Sequence, residues 1–139
     1  MIGHSLKIFI NHPRINSIQV VIHPDDYNLY KQSIIGFDLA EPIFGGKERQ
    51  DSSRIGLSSI CQDNPSFVLI HDAARPFITN EILDQILQKL DLGNDCVIPG
   101  IRVKDTLKRS RGKNVIETIS RSSLWQAQTP QGFNFKKIY

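Results

Sequence analysis

The sequence predicts an α/β fold: a three-layer sandwich of helices around a mostly parallel sheet, with a β-hairpin arm projecting from it. Three observations carry this. Strand-like and helix-like stretches alternate from Ile2 to Pro99. The run Phe67–Ile70 (FVLI) is short, apolar and contains Val and Ile, as in a strand buried on both faces. After Pro99 the alternation stops, and two extended runs flank Ser110-Arg111-Gly112-Lys113, as in a hairpin.

The elements follow in order. Residues 2–11 read as an amphipathic helix ended by Pro13. Residues 17–22 read as a strand through Ile18, Val20, Val21 and Ile22. His23-Pro24-Asp25-Asp26 is a turn with helix-start chemistry, followed by a short helix over 27–35. A strand over 39–44 closes on Gly45-Gly46, and Ile55, Leu57 and Ile60 give helical spacing over 52–61, with Ser52 at its start. After the 67–70 strand, Thr79 is a good N-cap. Ile82, Leu83, Ile86, Leu87 and Leu90 form one stripe, and Gly93 ends that helix. Residues 96–99 are the next strand. The arm occupies about residues 101–123, with extended runs at 106–109 and 115–120. A further strand over 124–129 and a helix beginning at Phe135 complete the reading.

The 139 residues suffice for one domain with a core, and 40% hydrophobic and 22% charged residues are ordinary for a globular protein. No apolar run approaches the roughly 18 residues of a membrane helix. The start MIGHSLKIFI lacks the apolar length and cleavage site of a secretory signal. A net charge of +3 is mild. The basic cluster Arg102, Lys104, Lys108, Arg109, Arg111 and Lys113 holds no aromatic for base stacking, so it reads first as a solvated hairpin with basic ends, with a phosphate-binding role for one or two of these residues as the alternative. Cys61 and Cys96 form no metal-ligand or redox spacing. Both are expected as small buried hydrophobes in a reducing cytoplasm. The four histidines show no metal-binding pattern, and His71-Asp72 has no helical partner ligands, so no protein-held metal is expected.

Four clusters carry polar chemistry, each with a plainer reading beside the functional one. GGKERQDS at 45–52 lets backbone approach a ligand, or is a strand-turn-helix with a Ser cap. Asp72-Ala73-Ala74-Arg75-Pro76 follows a buried strand, where open α/β sheets bind ligands, or is a tight turn with an Asp-Arg ion pair. Lys104-Asp105-Thr106 leads into the hairpin, or is a surface turn. Arg121 to Phe133 is a substrate edge, or a hairpin end packed on Trp125.

Together, GGKERQDS (45–52), VLIHDAARPFI (68–78), VKDTLKR (103–109) and SRSSLWQAQTPQGF (120–133) resemble the 2-C-methyl-D-erythritol 4-phosphate cytidylyltransferases of non-mevalonate isoprenoid biosynthesis. The resemblance runs over nearly the whole chain, with HDAARP and QTPQGF its specific parts. It implies a Rossmann-like domain with a protruding arm, working as a homodimer with crossed arms in the cytoplasm. It implies transfer of CMP from CTP to methylerythritol phosphate, with magnesium carried on the CTP phosphates. Gly46 and Ser52 would contact cytosine, and the backbone of Ala73 would hold ribose. Asp72 would contact the methylerythritol phosphate near the reacting centre, with Arg75 supporting that turn. Thr106 and Arg121 would reach the partner subunit's substrate phosphate, and Thr129 would add a substrate contact. Asp72 and Arg121 are the expected catalytic pair.

No GxGxxG or P-loop pattern occurs, and the chain opens within what such folds use as their first helix. The family's Gly-rich triphosphate loop and a late Thr and Lys have no counterpart among these residues. The expectation is therefore a single partial nucleotidyltransferase domain over 1–139 with weak activity alone. A ribitol 5-phosphate cytidylyltransferase and a non-catalytic dimerising or nucleotide-binding remnant stay open as alternatives.

Overall fold

The computed structural model describes residues 2–139; Met1 lies outside them. In chain order the regular elements are α1 (Ile2–Asn11), β1 (Val21–Ile22), α2 (Tyr27–Ser33), β2 (Ile43–Phe44), α3 (Arg49–Ser59), β3 (Phe67–Ile70) and α4 (Asn80–Asp91). They continue with β4 (Cys96–Val97), β5 (Gly100–Arg102), β6 (Leu107–Arg111), β7 (Asn114–Ile119), β8 (Trp125–Ala127), β9 (Gln131–Asn134) and α5 (Phe135–Ile138). The α/β class is as the sequence predicts. No helix among the described residues is long and apolar enough to cross a membrane.

The sheet differs in detail from the expectation. β1 and β2 pair in parallel, the one parallel pairing among the described residues. β3 and β4 run in the same direction but do not pair with each other. β9 lies between them, antiparallel to both, with Leu69 and Val97 each opposite Gly132. The predicted strands over 17–22, 39–44 and 96–99 shorten to two residues each, because pairing extends only where a partner lies alongside.

α4 explains the place of β9. Of its buried stripe, Ile86, Leu87 and Leu90 pack with Phe67, Leu69 and Val97, and Leu83 belongs to a cluster that also includes Leu69. Burying each such side chain is worth roughly 1.5–3 kcal/mol. A Cβ on Gly132 would lie 2.4 Å from Ile86 Cγ2 and 3.0 Å from Leu90 Cδ1, so only glycine lets the helix sit this close to the strand. Leu83 also meets Phe9 of α1 and Ile78 of the loop after β3. A second cluster joins Leu6 of α1, Val20 and Tyr30 of α2, and Ile18 bridges the two.

The arm stands apart from this core. β5 pairs with β8 at its base, and β6 with β7 beyond, turning on Gly112-Lys113 with a register shift at Arg109/Ser110. Nearly every residue from Gly100 to Ala127 is exposed or half-exposed. Trp125 is 55% exposed; its ring packs at the arm base, against Gly100 and beneath the Arg102 guanidinium, 4.4 Å from the ring centre, so the end of the hairpin does pack on it, outside the core. Cys96 is also exposed rather than buried, since β4 is an edge strand beside β9; Cys61 is half-buried.

Candidate active site at the carboxyl end of β3

The apolar strand β3 delivers His71 and Asp72 to its carboxyl end. The Arg75 N–H donates to the Asp72 carbonyl at 2.9 Å, closing a four-residue turn with Ala73 and Ala74 exposed at its tip. The tight-turn reading of this segment is therefore geometrically right, and the turn is also densely tied. The Asp72 N–H donates to Thr129 Oγ1 at 3.2 Å. Thr129 Oγ1 lies 3.0 Å from His71 Nδ1, and His71 Nε2 lies 3.0 Å from the Arg75 carbonyl. The Phe9 ring packs on the imidazole at 5.0 Å between centres. Burial lowers the His71 pKa; the Arg75 carbonyl and the Asp72 carboxylate pull it up, and the Arg75 guanidinium lowers it.

Two guanidiniums flank the Asp72 carboxylate. Arg49 donates to one oxygen through Nε at 3.2 Å and Nη2 at 3.0 Å. Arg75 Nε stands 3.5 Å from the other oxygen and hydrogen-bonds Gln128 Oε1 through Nη1. Asp72 keeps 37% of its side chain exposed, so the group is accessible as well as paired.

Arg49 comes from the 45–52 segment. There the helix starts one turn earlier than predicted: Glu48 is the N-cap, and its N–H donates to Asp51 Oδ2 at 3.3 Å. Ser52 is therefore not the cap. Its hydroxyl donates to the Glu48 carbonyl at 3.3 Å and accepts the Gly46 N–H at 3.2 Å, fastening the Gly-Gly loop to α3. A Cβ on Gly45 would fall 2.4 Å from Ser52 Oγ, and one on Gly46 2.3 Å from Asp51 Cβ, so both positions require glycine.

The structure thus brings together Asp72, Ala73, Arg75 and Thr129, and joins them through Arg49 to the Gly46–Ser52 loop. It does not bring in the arm. Thr106 is exposed, and Arg121 donates through Nη1 to the Lys104 carbonyl within the arm itself. No hydrogen bond or ion pair among the described residues links Thr106 or Arg121 to Asp72. Sequence reasoning assigned no role to Arg49, His71 or Gln128. A signal for Arg49 existed: a cation in the first turn of a helix opposes the helix dipole and calls for an acid nearby.

The family model for IspD, 2-C-methyl-D-erythritol 4-phosphate cytidylyltransferase, matches residues 1–139. The chain belongs to this family. Similar curated proteins include the bifunctional enzymes IspD/IspF of Paramagnetospirillum magneticum, 44% identical over 138 residues, and Rhodospirillum rubrum, 40% identical over 139. Each alignment covers 99% of this chain and 36% of the relative, so the chain spans about a third of their length. Among solved structures, 4-diphosphocytidyl-2C-methyl-D-erythritol synthase from Anaerococcus prevotii superposes with a TM-score of 0.83 at 29% identity, over 99% of this chain and 61% of that one. The Francisella tularensis cytidylyltransferase gives 0.82 at 25% identity, over 99% and 62%. These structures share the fold described above.

Proposed function

We propose that the protein carrying this chain transfers CMP from CTP to 2-C-methyl-D-erythritol 4-phosphate in the cytoplasm, as a step of isoprenoid biosynthesis. A phosphate oxygen of the sugar phosphate attacks the α-phosphorus of CTP. The bond from that phosphorus to the bridging oxygen breaks, and pyrophosphate leaves. Such chemistry is mostly positioning and charge stabilisation and needs no protein nucleophile.

The observation that carries this reading is Asp72 between Arg49 and Arg75 on an exposed turn. A lone carboxylate would repel phosphates. With two guanidiniums against one carboxylate the site keeps an excess positive charge, while Asp72 still offers acceptors to substrate hydroxyls. Gly46 and Ser52 then take cytosine, the Ala73 backbone takes ribose, and Thr129 adds a substrate contact. Thr106 and Arg121 act across a homodimer, each on the substrate phosphate of the partner subunit. Residues 1–139 form part of one nucleotidyltransferase domain.

Magnesium arrives on the CTP phosphates in this reading. Asp72 is already charge-paired, and among the described residues no three His, Cys, Asp or Glu side chains converge. These residues do not fit a protein-held metal.

The test is pyrophosphate release by the full-length protein from CTP with methylerythritol phosphate, with ribitol 5-phosphate in parallel. Release with the former alone supports the reading; release with neither overturns the reaction, and preference for ribitol phosphate overturns the substrate. The 139-residue span by itself is expected to turn over slowly. Turnover matching the full-length protein removes that expectation.

A further inference from the structure

We infer that His71 is a positioning residue: as a neutral imidazole with its proton on Nε2, it ties both ends of the Asp72–Arg75 turn together and makes the transfer reaction acid-sensitive. The inference rests on the proposed reaction at Asp72.

Three hydrogen bonds fix the direction of the network. A carbonyl only accepts, so the 3.0 Å contact from His71 Nε2 to the Arg75 carbonyl puts the proton on Nε2. In a neutral ring Nδ1 is then an acceptor, and the Thr129 hydroxyl 3.0 Å away donates to it. The Thr129 oxygen in turn accepts the Asp72 N–H at 3.2 Å. The first residue of the turn is held through Thr129, the last directly by the imidazole. Protonation of Nδ1 converts an acceptor into a donor. The Thr129 hydroxyl hydrogen then loses its acceptor in a residue only 8% exposed, and an unsatisfied buried donor is costly.

The groups facing the ring come from three elements. The turn contributes Asp72 and Arg75, α1 contributes the uncharged Phe9, and the loop before β9 contributes the uncharged Thr129 and Gln128. Arg49 of α3 is reached only through Asp72. Burial outweighs the neighbouring carboxylate and keeps the ring neutral.

The test uses the full-length protein and the variants His71→Phe and His71→Asn. Phenylalanine keeps an aromatic ring against Phe9 and removes both hydrogen bonds. Asparagine keeps an acceptor near Nδ1 and loses the donor to Arg75. His71→Phe is expected to lower kcat about 10- to 100-fold and to raise KM for CTP, whose ribose contact at Ala73 lies within the same turn. The fall in wild-type rate below the ordinary imidazole range, about pH 6.5, disappears with it. His71→Asn recovers part of kcat. Wild-type kcat and an unchanged acid limb in His71→Phe overturn the inference. Should that variant fail to fold, nitrogen-15 shifts of the wild-type ring decide: the Nε2–H tautomer at neutral pH supports the assignment, and the Nδ1–H tautomer or an imidazolium overturns it. This readout needs no substrate. A wild-type protein that shows the Nε2–H ring without transfer therefore counts against the reaction and not against the hydrogen-bond assignment.

Discussion

In the Asp72–Arg75 turn, polar groups find their partners far away in sequence. Asp72 is held by Arg49 at a separation of 23 residues and by Thr129 at 57; Arg75 is held by Gln128 at 53. In the arm the partners are local. Arg109 pairs with Glu117 at 2.9 Å, Lys108 donates to Thr118 at 2.7 Å, and Arg121 bonds Lys104, all within one hairpin. Beneath the turn lies a core of Leu83, Ile78 and Phe9; around the arm lies solvent. A lone two-stranded hairpin is marginal in water. The turn is organised before substrate arrives, whereas the arm needs a further surface to become equally defined. A second copy of the chain, as proposed, supplies one.

The largest expected effect tests the core under the turn. Leu83→Ala removes a fully buried side chain and should cost about 2–5 kcal/mol in urea unfolding; a loss below about 1 kcal/mol would show that α4 does not support the site as described. Next comes the arm. Arg121→Ala in the full-length protein should cost about 1.5–3 kcal/mol in kcat/KM for methylerythritol phosphate, as for a charge-assisted contact, with CTP affinity and unfolding midpoint unchanged. An unaltered response to that substrate removes Arg121 from the site. Gly132→Ala should destabilise by about 1–3 kcal/mol through overpacking against Ile86, and unchanged stability would mean that α4 can shift away from β9.

Acid offers a subtler contrast. His71 has its pKa lowered in the folded state, so below the ordinary imidazole value the unfolded chain binds more protons than the native one. Stability is full above about pH 6.5 and declines as pH falls through the lowered folded pKa. His71→Phe should flatten that slope, and an identical slope in the variant would place the titration elsewhere. The smallest effect on folding belongs to the arm. Val115→Asp with Ile116→Asp should shift the stability of the monomer, measured at a protein concentration too low for dimers, by no more than about 0.5 kcal/mol, since both side chains are exposed. Light scattering should nevertheless show the proposed dimer lost; because the two side chains lie on opposite faces of β7, a dimer that persists moves the interface away from this strand.

Much of this was legible in the sequence. The strand Phe67–Ile70 and the helix behind Thr79 have the predicted bounds to within a residue or two, because one apolar run and one strong stripe dominate their windows. Thr79 occupies the N-cap position but makes no side-chain capping bond to the helix backbone. The hairpin was visible through its turn residues. β9 was not. Gln131-Gly132-Phe133-Asn134 has one large apolar side chain and a glycine, a poor strand by composition, yet it is the middle strand of three.

The reading by residue pattern therefore captured what repeats locally: apolar periodicity, turn chemistry, and the motifs at 45–52, 68–78 and 120–133 that mark the family. Tertiary structure alone decided which groups met. Gly132 matters only once α4 lies across it, Arg49 only once the start of α3 stands beside Asp72, and His71 only once Thr129 arrives from 58 residues along the chain. Hydrogen bonds and close contacts of this kind depend on the position of distant backbone, and no window of sequence short enough to show a period contains both partners.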